Sequence, residues 1–145
     1  MADASAYSII LAGLTASLTR TGVNVGGTAG YPRIEIHSIT EGESADKDGA
    51  VRTFSATIES MTNDSRRKCA ALNEENERRL LRAPLDLEDD GYRCVGVIIR
   101  GLQDMQETSD TQSIIYRALL SVDVIVERLE EIGDDTEADN ESQTE

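Results

Sequence analysis

The 145-residue chain has no tryptophan and a single phenylalanine, Phe54; aromatic residues make up 3% of it. Its core must therefore come from Ile, Leu, Val and Ala, and a large interface would lack the aromatic anchors on which tight association often rests. One histidine, His37, and two cysteines, Cys69 and Cys94, give no CxxC spacing, no metal-ligand pattern and no Ser–His–Asp set. His37 reads as a surface residue, and the cysteines as buried reduced thiols. Basic residues are scarce as well, 14 against 28 acidic, for a net charge of −14. That balance argues against specific nucleic-acid binding and against an anionic membrane surface, both of which rest on neutralising phosphate with Lys and Arg.

No apolar run reaches the ~18 residues of a membrane span. The apolar stretch in MADASAYSIILAGLTASL has Asp3 and no Lys or Arg before Ser5, so the positive start of a secretory signal is missing. A soluble, cytoplasmically made protein is expected. The glycine-rich TGVNVGGTAG lacks GK[ST] and lies between a helix and a strand, so it is neither a phosphate loop nor a dinucleotide fingerprint. DLEDDG, Asp86–Gly91, begins like a calcium loop, but Glu88 and Val97 stand where Asp or Asn and a bidentate Glu are needed. No cofactor, metal or catalytic site is expected.

What is present is periodicity. From Ile114 to Val126 every second residue is apolar: Ile114, Tyr116, Ala118, Leu120, Val122, Val124 and Val126, with Arg117, Ser121 and Asp123 between them. Side chains alternate faces along a strand, so this is a half-buried strand of roughly 40 Å at ~3.3 Å per residue. Strands usually run ~5–6 residues, and long strands in small domains tend to serve rings or tubes.

Ahead of it, residues 5–19 pattern as a helix with Ser5 as N-cap and Ile10, Leu11, Leu14 and Leu18 inward. A Gly22–Gly30 loop or arm follows. A strand then opens at Tyr31-Pro32 with Ile34 and Ile36 on one face. Residues 41–50 form a turn with Asp48-Gly49 near its end, and Val51–Met61 returns as a strand. One of Asn63, Asp64 or Ser65 caps a second helix that runs to about Leu81. A third strand covers Tyr92–Met105, with Val95, Val97 and Ile99 in phase and a bulge at Gly101; residues 107–111 turn into the final strand. The order helix-strand-strand-helix-strand-strand defines an α+β fold, about four antiparallel or mixed strands packed against two helices. Residues 1–132 make one domain. Residues 133–145 hold six carboxylates and no base, a disordered acidic tail whose removal leaves a net charge of −8.

Six of the fourteen basic residues lie on the second helix: Arg66, Arg67, Lys68, Arg78, Arg79 and Arg82. At 100° per residue Cys69, Leu72, Asn76 and Leu80 share one face, and the bases other than Arg66 fall within a ~120° sector roughly opposite. Glu74–Arg78 and Glu75–Arg79 are candidate i,i+4 pairs on a solvated face. The alternative is that this basic helix meets an acidic face of a neighbouring subunit, a head-to-tail contact of the kind that closes rings.

Taken together, AYSIILAGLTASL, a glycine-containing loop, YPRIEIHSI, VRTFSATIES followed by NDSRRKCAALNEENERRLL, and YRALLSVDVIVERL resemble the tail terminator (tail completion) proteins of long-tailed bacteriophages, the group of the lambda minor tail protein U. The similarity spans roughly residues 5–130 and is one of order and texture; the acidic tail and the very long last strand depart from it. The resemblance implies a small α+β fold, no enzymatic activity, and a hexameric ring on the tail tube that stops polymerisation and offers a surface to the head. The implied partners are further copies of the chain, the tail tube protein and a head-completion or connector protein, in a virion assembled in the host cytoplasm. DNA would pass through an acidic lumen without binding. The second reading is a soluble non-catalytic interaction module, such as a tail-assembly chaperone or another head–tail connector component.

Overall fold

A computed structural model describes residues 5–27, 30–42, 50–109 and 114–129, the side chains of 104–109 excepted. The expected Asp48-Gly49 turn and the acidic tail at 133–145 lie outside these residues.

The first helix, α1 (Ala6–Leu18), starts where the Ser5 hydroxyl accepts the Ser8 backbone N–H, satisfying a donor that the helix itself leaves orphaned. Its buried side is Ile9, Ile10, Gly13, Leu14 and Leu18; Leu11, expected inward, is exposed. The glycine-rich segment is more than an arm, because Asn24–Val25 pairs in parallel with the next strand as β1. Then come β2 (Arg33–Glu41), β3 (Val51–Thr62), α2 (Arg66–Arg82), a 3₁₀ turn (Glu88–Asp90), β4 (Tyr92–Ser109) and β5 (Ile114–Arg128). The fold is α+β as expected, with five strands among the described residues where about four were expected.

The sheet order is β1-β2-β3-β5-β4, antiparallel except for β1. Two hairpins therefore meet along β3 and β5, which pair over twelve consecutive positions from Val51↔Glu127 to Thr62↔Tyr116. The alternation at 118–126 holds: Ala118, Leu120, Val122, Val124 and Val126 are buried on the face the helices cover. Ile114, at the start of that series, is exposed instead. On the opposite face Asp123 is 7% exposed, a burial that alternation alone did not foresee.

Register slips three times along β4, between Cys94 and Gly96, Ile99 and Gly101, and Gln103 and Gln106. The slip at Gly101 is the expected bulge. The slip at Val95 changes the phase, turning Cys94 inward and leaving Val95 exposed. β2 is also irregular between His37 and Thr40, where Ser38 takes a left-handed φ of 55°.

Helix α2 lies across β3, β5 and β4, and α1 lies against β2 and α2. The connection after α2 is part of the core: Leu85 and Leu87 are buried against α1. A Cβ at Gly13 would stand 2.6 Å from Leu87 Cδ2, so the helix is bare at the point where the connection crosses it. Burying these aliphatic side chains, at ~25 cal/mol per Å² of apolar surface, is the main force holding the helices to the sheet.

Candidate assembly surfaces

The expected inner face of α2 is the observed one. Cys69, Leu72, Asn73, Asn76 and Leu80 are buried, and Ser65 caps the helix by accepting the Lys68 N–H at 3.1 Å. The seam it forms with the sheet is partly polar. Asn76 Nδ2 donates to Ser60 Oγ at 2.9 Å, Asn73 Nδ2 to the Leu119 carbonyl at 3.1 Å, and the Cys69 thiol to the carbonyls of Ser60 and Tyr116. Burial pushes the Cys69 thiol up, away from the thiolate, so it is a structural rather than a reactive cysteine.

The six basic residues of α2 divide into three kinds. Arg79 turns toward α1, its Nε donating to the Ser17 carbonyl at 3.0 Å and its Nη2 to the Thr19 carbonyl at 3.3 Å. It closes the C-terminal carbonyls of α1. Arg20, missed in the sequence reading, works beside it, with Nη1 on the Leu18 carbonyl and Nη2 on Asn76 Oδ1. Burial, followed by the nearby Arg79, lowers the Arg20 guanidinium, while Glu75 opposes both.

Arg78 and Lys68 are exposed but held. Arg78 donates to Glu75 Oε1 at 2.8 Å and Lys68 to Asp64 Oδ2 at 2.8 Å. Glu75 also sits 3.7 Å from Arg79, so Glu75 serves both arginines and Glu74 is not the partner of Arg78. The Arg78 hydrogen bond holds the Glu75 carboxyl below its usual range, and the Asp64 bond raises the Lys68 ammonium.

Arg66, Arg67 and Arg82 are exposed and make no ion pair among the described residues. Arg82 and Arg79 border a groove of about 300 Å³ between the ends of the two helices, which Gly13, Ser17, Leu85 and Asp86 also line.

The sheet face away from the helices carries an ion-pair ladder. Glu59, on β3, receives Arg117 from β5 at 2.8 Å and His37 from β2 at 2.9 Å; Glu35 lies 3.6 Å from His37 and 3.3 Å from Arg33. Burial pulls the Glu59 carboxyl up, but the bonds from Arg117 and His37 outweigh it and hold it below the usual range. Glu35, His37 and Glu59 bring one donor atom each within 4.8 Å of one another, close enough to consider a metal. Each carboxylate, however, keeps its second oxygen on an arginine, so two cations already balance the two anions. The arrangement is a neutral ladder across three strands. Further along the face Asp123 accepts from Ser55 Oγ and from Arg100 Nε, both at 2.7 Å. His37 is thus a surface residue, but a bonded one. Its partner Glu59 lies 22 positions away, beyond the reach of any local sequence signal.

At the sheet margins β1 covers only two residues of β2, and β4 is an outer strand with Val95 and Ile98 exposed. The Asp86–Asp90 segment presents Asp86, Glu88, Asp89 and Asp90 to solvent beside the start of β4. No helix among the described residues is long and apolar enough to cross a membrane.

No protein-family model matches this chain, and no curated protein matches it. Solved structures do. A chain of the virion of a native gene transfer agent (GTA) particle superposes with a TM-score of 0.56 at 19% identity, covering 83% of this chain and 90% of that one. The likeness is one of fold.

Proposed function

We propose that this chain is a structural virion protein. It forms a ring, six copies around, at the head-proximal end of a phage tail tube, ends tube polymerisation and joins the tail to the head. The observation that carries the reading is the fold shared with a chain of a virion particle over nine-tenths of that chain's length. The surface chemistry agrees with it. The charged groups of the open sheet face are tied to one another, as suits a scaffold, and the free cations of α2 stand on an otherwise acidic subunit. A basic patch meeting an acidic one is a heterologous contact, and heterologous contacts with the right rotation close into rings.

In this reading the protein is not an enzyme and uses no cofactor. Its partners are its own copies, the tail tube protein and a head-completion or connector protein. The excess of carboxylates keeps passing DNA from adhering. The protein is assembled in the host cytoplasm and resides in the neck of the virion.

The test is to add the purified chain to polymerising tail tube protein. Growth should stop, and labelled protein should be found at one tube end by electron microscopy. Tubes that lengthen unchanged, with no labelled end, would refute the terminator role.

A further inference from the structure

The outer face of α2 exposes three arginines, Arg66, Arg67 and Arg82, that no described carboxylate pairs. Helix stability does not account for the two at its start. A helix N-terminus favours acidic residues, and the first turn of α2 has none.

The chain's acid is unevenly placed. Residues 130–145 hold eight carboxylates and no Lys or Arg. They follow Leu129, whose N–H donates to the Gly91 carbonyl at 2.9 Å, directly beside the exposed carboxylates of Glu88, Asp89 and Asp90. Exposed Arg93 and Arg128 share that end of the sheet, so its charge is mixed, with the carboxylates in excess.

We propose that residues 130–145 of one copy dock on the outer face of α2 of the next copy, carboxylate to Arg66 and Arg67; this rests on the ring reading above. Geometry favours the neighbour over the same chain. The start of α2 lies at the far end of the sheet, where Cys69 meets the Tyr116 carbonyl. From Tyr116 to Arg128 is twelve steps along β5, roughly 40 Å at ~3.3 Å per residue. A coil of sixteen residues has an end-to-end distance of roughly 22 Å. Its own Arg66 and Arg67, roughly 40 Å away, lie at nearly twice that distance, inside the roughly 55 Å of full extension but at a cost in chain entropy that a head-to-tail neighbour presenting the same pair nearer the segment would avoid. Bound there, the segment would act as a strap linking successive subunits, adding effective concentration to a contact of individually weak ion pairs.

The test uses full-length protein in two variants: one with the eight carboxylates of 130–145 replaced by Gln and Asn, and one carrying Arg66→Glu and Arg67→Glu. Mass photometry reads the concentration at which half the chains assemble, with circular dichroism as the folding control. Each variant should raise that concentration about tenfold at low salt, and combining them should add little, because both remove one interaction. Assembly unchanged by tail neutralisation overturns the strap while leaving the ring reading intact. If the native chain does not assemble at all, the ring reading fails separately. A labelled peptide of residues 130–145 then decides the docking surface: salt-sensitive binding that Arg66→Glu and Arg67→Glu abolish supports it, and no binding overturns it.

Discussion

Asp123→Ala separates a reading by alternation from a reading by structure. On alternation alone Asp123 points to solvent from the middle of β5, and its removal should be silent. In the fold it is 7% exposed and accepts two bonds of 2.7 Å, from Ser55 on β3 and Arg100 on β4, joining three strands. Losing the serine bond leaves a half-buried hydroxyl unsatisfied, costing about 1 kcal/mol. Arg100 is 62% exposed, so its guanidinium returns to water and its loss adds only about 0–1 kcal/mol. The total, about 1–2 kcal/mol, should lower the melting temperature by roughly 3–8 °C in a domain of this size. Asp123→Asn keeps an acceptor for Ser55 and should lose about half as much, while Arg100→Ala, which strips the cation from a buried carboxylate, should cost at least as much as Asp123→Ala. Urea denaturation with thermal melts measures all three. A change below ~0.5 kcal/mol for Asp123→Ala would refute the capped position of this carboxylate. A loss above ~4 kcal/mol would mean that the aspartate is held by far more than these two bonds.

Other outcomes follow from the same geometry. Val122→Asp, on the helix-covered face, should bury a charge without a partner and cost several kcal/mol, read as loss of the cooperative transition. Arg79→Ala should lower stability by about 1 kcal/mol because two carbonyls of α1 lose their donor, whereas Arg66→Ala should leave the melt unchanged. Glu59 is held below the ordinary carboxylate range. Its contribution to stability is therefore complete above about pH 4.3 and is lost as pH falls through the lower folded value. Glu59→Gln should be less stable at neutral pH and show a shallower acid limb in a melting-temperature profile; an identical limb would contradict the ladder.

Much of the fold is legible in the sequence because it is locally encoded. Ser5 caps α1 as its position implies, Ser65 proves to be the cap of α2 among the three candidates Asn63, Asp64 and Ser65, and Cys69, Leu72, Asn76 and Leu80 form the inner face of α2. The bulge at Gly101 shows in the slipped phase. The failures are non-local. Val95 looks in phase with Val97 until the register slip before it, which only pairing with β5 reveals. Leu85 and Leu87 read as a loop, and only the bare Gly13 opposite shows why they are core. β1 is too short for any periodicity. Of the basic sector, helical geometry identifies the face but not the allegiance of each side chain: Arg79 belongs to α1, a contact across 62 positions.

The most direct test of the central claim is the mass and shape of the assembled protein in solution. Native mass measurement with negative-stain imaging should find a species six times the 15.8 kDa subunit, seen end-on as a closed ring with a central opening. A chain that stays monomeric at every concentration, and also in the presence of tail tubes, would contradict the account.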